Sequence, residues 1–131
     1  MNCCPINDAL NSSLQGIPIE VTPIETFENT QGNLYLNNGV LMGSLYITGY
    51  KNGVSTFIPK QTNFKIATIP IRLKKQVKIQ AGIVGPGNSY AMGGAIYITT
   101  DGDIVAHHSN SSADTMRDVL ATVCCKVELD E

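Results

Sequence analysis

An all-β fold is what this sequence predicts: an antiparallel β-sandwich, jelly-roll-like, of about eight strands with an extended N-terminal arm. Three observations carry that expectation. From residue 33 onward, apolar and polar residues alternate with the period of two that half-buried strands require. Asn38-Gly39, Asn52-Gly53 and Asp101-Gly102 fall between the alternating runs. Such dipeptides tolerate φ > 0 and so make hairpin turns. Helical spacing occurs only once before residue 110, at Ile6, Leu10 and Leu14.

The elements follow in order. "NCCPINDALNSSLQG" (2–16) is polar with those three apolar points, and a turn or two of helix can start at Pro5 and end at Gly16. "GIPIEVTPIETF" carries Pro18 and Pro23, which donate nothing to a central ladder. It reads as an edge segment or arm, with Ile17, Ile19, Val21, Ile24 and Phe27 as the residues that would dock it on a neighbour. "NLYLN" is a short strand. "VLMGSLYITGY" sets Leu45 and Ile47 against Tyr46 and Thr48, and "VSTFI" returns from the Asn52-Gly53 turn until Pro59 closes it.

"FKIATIPIRLKKQVKI" places Phe64, Ile66 and Thr68 on one face and Lys65, Ala67 and Ile69 on the other. Pro70 ends that strand, "RLKK" turns the corner, and Val77, Ile79, Ala81 and Ile83 form the next inward face. "GPGNS" (85–89) is a loop. "GGAIYITT" and "DIVAHH" make a hairpin about Asp101-Gly102. A two-residue turn there sets Thr100 opposite Asp103, Ile98 opposite Val105 and Ile96 opposite His107. "NSSADTMRDV" is a loop or short helical turn, and "VLATVCCKVEL" a long final strand. There is no internal repeat and no heptad pattern. The division expected is an arm over 1–32 and a head over 33–131.

Hydrophobic residues make up 43% of the chain and charged residues 15%, so charge is scarce for a monomer's surface. Either Asn, Ser and Thr cover that surface or part of it is buried in an oligomer. A net charge of −2 gives no general pull towards nucleic acid or anionic lipid, and Lys74, Lys75 and Lys78 read as solvated turn charges. No apolar run approaches the ~20 residues of a membrane span. The N-terminus lacks the basic flank and apolar core of a signal peptide.

The four cysteines form two adjacent pairs, Cys3-Cys4 and Cys124-Cys125, unlike the spacing zinc prefers. In "TVCCKVEL", Cys125 shares the inward face with Val123, Val127 and Leu129, and Cys124 the outward face with Thr122 and Lys126. Reduced thiols are the expectation without a secretion signal. A four-thiolate metal site joining the two chain ends is the alternative.

Catalytic chemistry needs a nucleophile, a base and an orienter, or paired carboxylates. His107 and His108 are adjacent, so in a strand they point to opposite faces and cannot hold one ion. Asp101 and Asp103 flank a glycine, but the later ligands of a calcium loop are missing. No enzyme, cofactor or metal is expected. "GPGNSYAMGG" lacks the spacing of a dinucleotide loop and reads either as a flexible connection or as a ligand loop. In the second reading Asn88, Ser89, Tyr90 and Met92 carry the contacts. Without Trp, and with aromatics at 6%, a stacking platform for single-stranded nucleic acid is not expected.

"FKIATIPIRLKKQVKI" and "AIYITTDGDIVAH" together resemble the distal β-sandwich domain of phage and prophage tail-fibre, baseplate and head-fibre proteins, over roughly residues 39–129. In that family the turn reads Leu-Pro followed by Arg-Pro. Ile69-Pro70 matches the first part, and Lys74-Lys75-Gln76 stands where the second would be. The resemblance implies a homotrimer on a virion, non-enzymatic, attached to other virion proteins through the arm and touching a host glycan or protein. There is no collagen-like or coiled shaft, so a short decoration, head-fibre or baseplate component fits better than a whole fibre. The other reading is a soluble carbohydrate-binding module of a bacterial protein.

Overall fold

A computed structural model describes residues 16–86, 91–108 and 116–130. Twelve strands occur among them: β1 (Ile17–Ile19), β2 (Thr22–Pro23), β3 (Glu28–Gln31), β4 (Leu34–Asn37), β5 (Val40–Thr48), β6 (Tyr50–Lys51), β7 (Val54–Ser55), β8 (Phe64–Thr68), β9 (Val77–Val84), β10 (Ala91–Ile98), β11 (Asp103–His108) and β12 (Asp118–Lys126). The protein is all-β and antiparallel, as its alternation requires. The turn or two of helix expected from Pro5 to Gly16 falls outside the described residues except at Gly16 itself.

Ten strands form one sheet in the order β1-β4-β5-β12-β9-β10-β11-β8-β2, with β3 on β5, and β6 and β7 form a separate hairpin. The two ends of that path, β1 and β2, are separated in sequence only by Glu20 and Val21. The sheet therefore curls until one short stretch of chain supplies both of its edges. A sandwich-like enclosure with one core results. Leu34, Leu41, Ile47, Ile66, Ile83, Ile96 and Ile104 are fully buried in it. Each such side chain stabilises the fold by roughly 1.5–3 kcal/mol through the area it removes from water.

This arrangement corrects the division at residue 32. Residues 17–31 are not a projecting arm: Ile17–Ile19 pairs with Leu34–Leu36, Thr22 and Pro23 with Thr68 and Ala67, and Glu28–Gln31 with Tyr46–Thr48. Ile19 and Phe27 are buried, Val21 and Ile24 pack on the core, and only Ile17 of the expected docking residues is exposed. The prolines did mark edges, since Pro18 and Pro23 sit in the two terminal strands. The sequence count of about eight strands is low because this segment adds three short ones.

The turns before β5 and β7 are of the expected kind. Asn38 and Gly39 have φ of 52° and 75°, and Asn52 and Gly53 of 54° and 78°, as a type I′ turn demands. The β10–β11 register differs by one residue from expectation. Ile98 opposes Ile104, Ile96 opposes Ala106 and Ala95 opposes His107. The Gly102 amide donates to the Thr99 carbonyl, and the Thr99 amide to that of Asp103, so the loop has three residues and closes on Gly102 at φ 88°. The apolar pattern decides this. Only this register puts Ile96 and Ile98 on the same face as Ile104 and Ala106, all of them buried.

In β8 the expected faces also shift. The pairing with β11 slips between Ile104 and Val105, leaving Ile66 as an extra residue opposite them. Ile66 and its neighbour Ala67 are then both buried, which strict alternation forbids.

The chain from β8 to β9 crosses the end of the β10–β11 hairpin, so β8 lies beside β11 and the four strands form a Greek key. The crossing is tight. A Cβ on Gly102 would lie 2.5 Å from both the Ile69 and Ile71 carbonyl oxygens, and the Ile69 amide donates to the Gly102 carbonyl at 2.8 Å. The two sequence motifs behind the family resemblance thus pack directly on each other.

Candidate functional site at the tip

The ends of β5, β9 and β11 and the starts of β10 and β12 meet at one end of the sheet. Asp118 pairs with both Thr48 and Val84, Ala91 with Val84, and Gly94 with His108. The β6–β7 hairpin rises from this end, which we call the tip. Gly85 and Pro86 lead away from it. Asn88, Ser89 and Tyr90 lie outside the described residues, and Val84 pairs with Ala91 on either side of them. Met92 is not a loop residue: its backbone pairs with Ile83 inside β10.

The tip is built around Arg117 and Asp118, two residues that sequence reading passed over. The Arg117 Nε donates to Asp118 Oδ1 at 2.9 Å and its Nη2 to Oδ2 at 3.3 Å. The Thr48 hydroxyl donates to the same Oδ1 at 2.6 Å and accepts from the Tyr50 amide at 3.1 Å. Arg117 Nη1 reaches Ser55 Oγ at 3.2 Å, and its guanidinium lies over the Tyr50 ring at 5.0 Å. The two side chains are only 13% and 3% exposed. Hydrogen bonding to Asp118 holds the Arg117 pKa above its ordinary value.

This network ties both strands of the hairpin to the body. Gly49 makes it possible: a Cβ there would lie 2.2 Å from the Thr56 carbonyl oxygen and 2.9 Å from Arg117 Cγ. The sequence did carry a signal, because "RD" is the only opposite-charge neighbour pair at the start of a strand. Its partner Thr48, 70 residues away, was invisible.

The network fixes an apolar display. Tyr50 is 49% exposed and Val54 63%, two of the four large apolar residues that face solvent among the described ones. A groove of about 400 Å³ runs beside them, lined by Glu25, Thr26, Lys51, Asn52, Val54 and Thr56.

The opposite end is different in kind. Arg72 and Asp101 pair at 3.0 Å, Lys75 and Glu128 at 2.9 Å, and Lys65 and Asp103 at 3.3 Å, all solvent-accessible and screened. Hydrogen bonding from Lys75 holds Glu128 below the usual carboxylate range.

The histidines divide as strand geometry requires. His108 is fully buried, with Nε2 donating to the Ile58 carbonyl at 2.8 Å, so it ties the segment after β7 to β11. His107 faces outward with Lys78, Gln80 and Tyr97 around a shallow hollow over Gly93 and Ala95. Among the described residues no three His, Cys, Asp or Glu side chains cluster as metal ligands would. The thiols depart from expectation: Cys124 is disulfide-bonded, whereas Cys125 is free and half-buried, and burial raises its pKa. No protein-family model, curated protein or solved structure matches this chain.

Proposed function

We propose that the protein is a non-enzymatic virion structural component, the head of a short fibre, decoration or baseplate assembly. It works as a homotrimer and turns its tip towards a host glycan or protein. The observation that carries this reading is the braced hairpin, with Tyr50 and Val54 held out to solvent by the pair of part-buried Arg117 and buried Asp118. A rigid apolar anchor loses little conformational freedom on binding, which is what a contact surface needs. The scarcity of charge, 15% of residues, supports burial of further surface between subunits.

A soluble carbohydrate-binding module is the second reading. Tyr50 favours it, since an exposed ring can stack on a sugar, although Arg117 already covers one side of that ring.

The tip assignment is tested with Tyr50→Ala and Val54→Asp. Both positions are exposed, so the melting temperature is expected to stay within a few degrees of the parent. Retention on a glycan array and on intact bacterial cells is expected to fall ~10-fold or more, as for a central contact residue. Binding that is unchanged in both variants would remove the tip from the account.

A further inference from the structure

We infer that residues 1–15 of this chain lie across the uncharged middle of the outer face of β4, β5 and β12, fixed there by the Cys124 disulfide.

The face comes first. Outward positions run in rows across paired strands: Tyr35 beside Met42 beside Cys124, Ser44 beside Thr122, and Tyr46 beside Leu120. None of these carries a charge; Lys126, beside Val40 at the end of β12, bounds the uncharged stretch. An antiparallel sheet with one face on the core normally shows water a polar, charged other face. Here Leu120 stands 38% exposed in the middle. A hollow of about 260 Å³ lined by Leu120 and a second of about 540 Å³ beside Tyr35 share Gln31 and Ser44, so they form one continuous depression.

The occupant follows from the disulfide. Cys124 projects from this face and is disulfide-bonded, and Cys125 is free. The chain has only two other cysteines, Cys3 and Cys4. The bond therefore brings the N-terminal segment onto the row of Tyr35 and Met42. Forming it from two thiols releases two protons and two electrons, taken up by a small-molecule disulfide that leaves as two thiols.

The reach is sufficient. Gly16 sits against Leu36 and Asn37 of β4, where β1 begins. From β1 to β12 is three strand spacings, about 14 Å. The twelve residues from Cys4 to Gly16 span ~18 Å as a helix and ~40 Å extended. The chemistry also matches. The segment is nearly uncharged, and Ile6, Leu10 and Leu14 recur every four residues, an apolar stripe suited to an uncharged depression.

Two measurements on the full chain test this. Peptide mapping by mass spectrometry without reductant is expected to recover the peptide bearing Cys3 and Cys4 joined to that bearing Cys124, from a band of single-chain mass. A free Cys124 thiol, or a bond between two chains, overturns the inference. Chymotrypsin then reads the docking itself. Leu120→Asp, at an exposed position, is expected to speed cleavage after Leu10 and Leu14 about 10-fold with the melting temperature unchanged. Equal cleavage in parent and variant overturns the inference. So does a change in oligomeric mass without a change in cleavage, which would assign the face to a second copy.

Discussion

Phe27→Ala is expected to destabilise the protein by ~3–5 kcal/mol, the usual cost of emptying a fully buried aromatic site. For a domain of this size that is a fall in melting temperature of at least about 10 °C. Phe27 is 1% exposed, its ring lies 5.9 Å from that of Phe64, and it packs beneath Gly49 at the base of the tip hairpin. The turn that delivers it is closed by the Phe27 amide donating to the Ile24 carbonyl, and the Ile24 amide donates in turn to Ile66. Thermal unfolding of the variant is the check. A loss below about 1 kcal/mol would mean that residues 17–31 are an appendage after all. By the same reasoning, deleting residues 1–32 is expected to abolish folding. It strips both edges of the curled sheet as well as the Phe27 and Ile19 side chains from the core.

Asp118→Ala should cost up to ~3 kcal/mol, because it leaves a part-buried guanidinium without its counter-charge and the Thr48 hydroxyl without its acceptor. Asp118 accepts from Thr48 and, through both oxygens, from Arg117, whose other partners are the neutral Ser55 hydroxyl and the Tyr50 ring. The effect should be seen locally as well as globally. Hydrogen exchange at the Tyr50 and Thr56 amides, whose bonds hold the hairpin base, is expected to quicken more than exchange in β9 or β10. A uniform loss of protection, with the hairpin no worse than the rest, would mean that the network braces the core and not the tip.

Much of the sheet was legible in the sequence because alternation fixes which face a strand buries. Val77, Ile79, Ala81 and Ile83 point inward as read, and Cys124 and Cys125 separate to opposite faces. Turns written as Asn-Gly were legible too, since few residues adopt φ > 0 at two successive positions. The Asp-Gly turn misled because the dipeptide suits both a two-residue loop and a three-residue loop ending in glycine. The burial of Ile104 and Ala106, a long-range matter, chooses between them.

Segment 17–31 was half legible. Its prolines announce an edge, but whose edge it joins depends on strands as distant as β8. The tip was barely legible. "GPGNS" announces a loop, whereas Arg117, Asp118, Thr48 and Ser55 become a site only when β5, β7 and β12 are brought together. The Cys124 bond has no local signature either, since adjacent cysteines carry no spacing rule for their partners.

The central claim is a self-associated head that displays its tip. Light scattering behind size-exclusion chromatography, run on the full chain with and without reductant, tests it most directly. The account predicts the mass of three chains in both conditions, because the proposed trimer relies on packing and not on the Cys124 bond. The mass of one chain, 14.1 kDa, would contradict the head-of-virion reading and leave the binding module in its place.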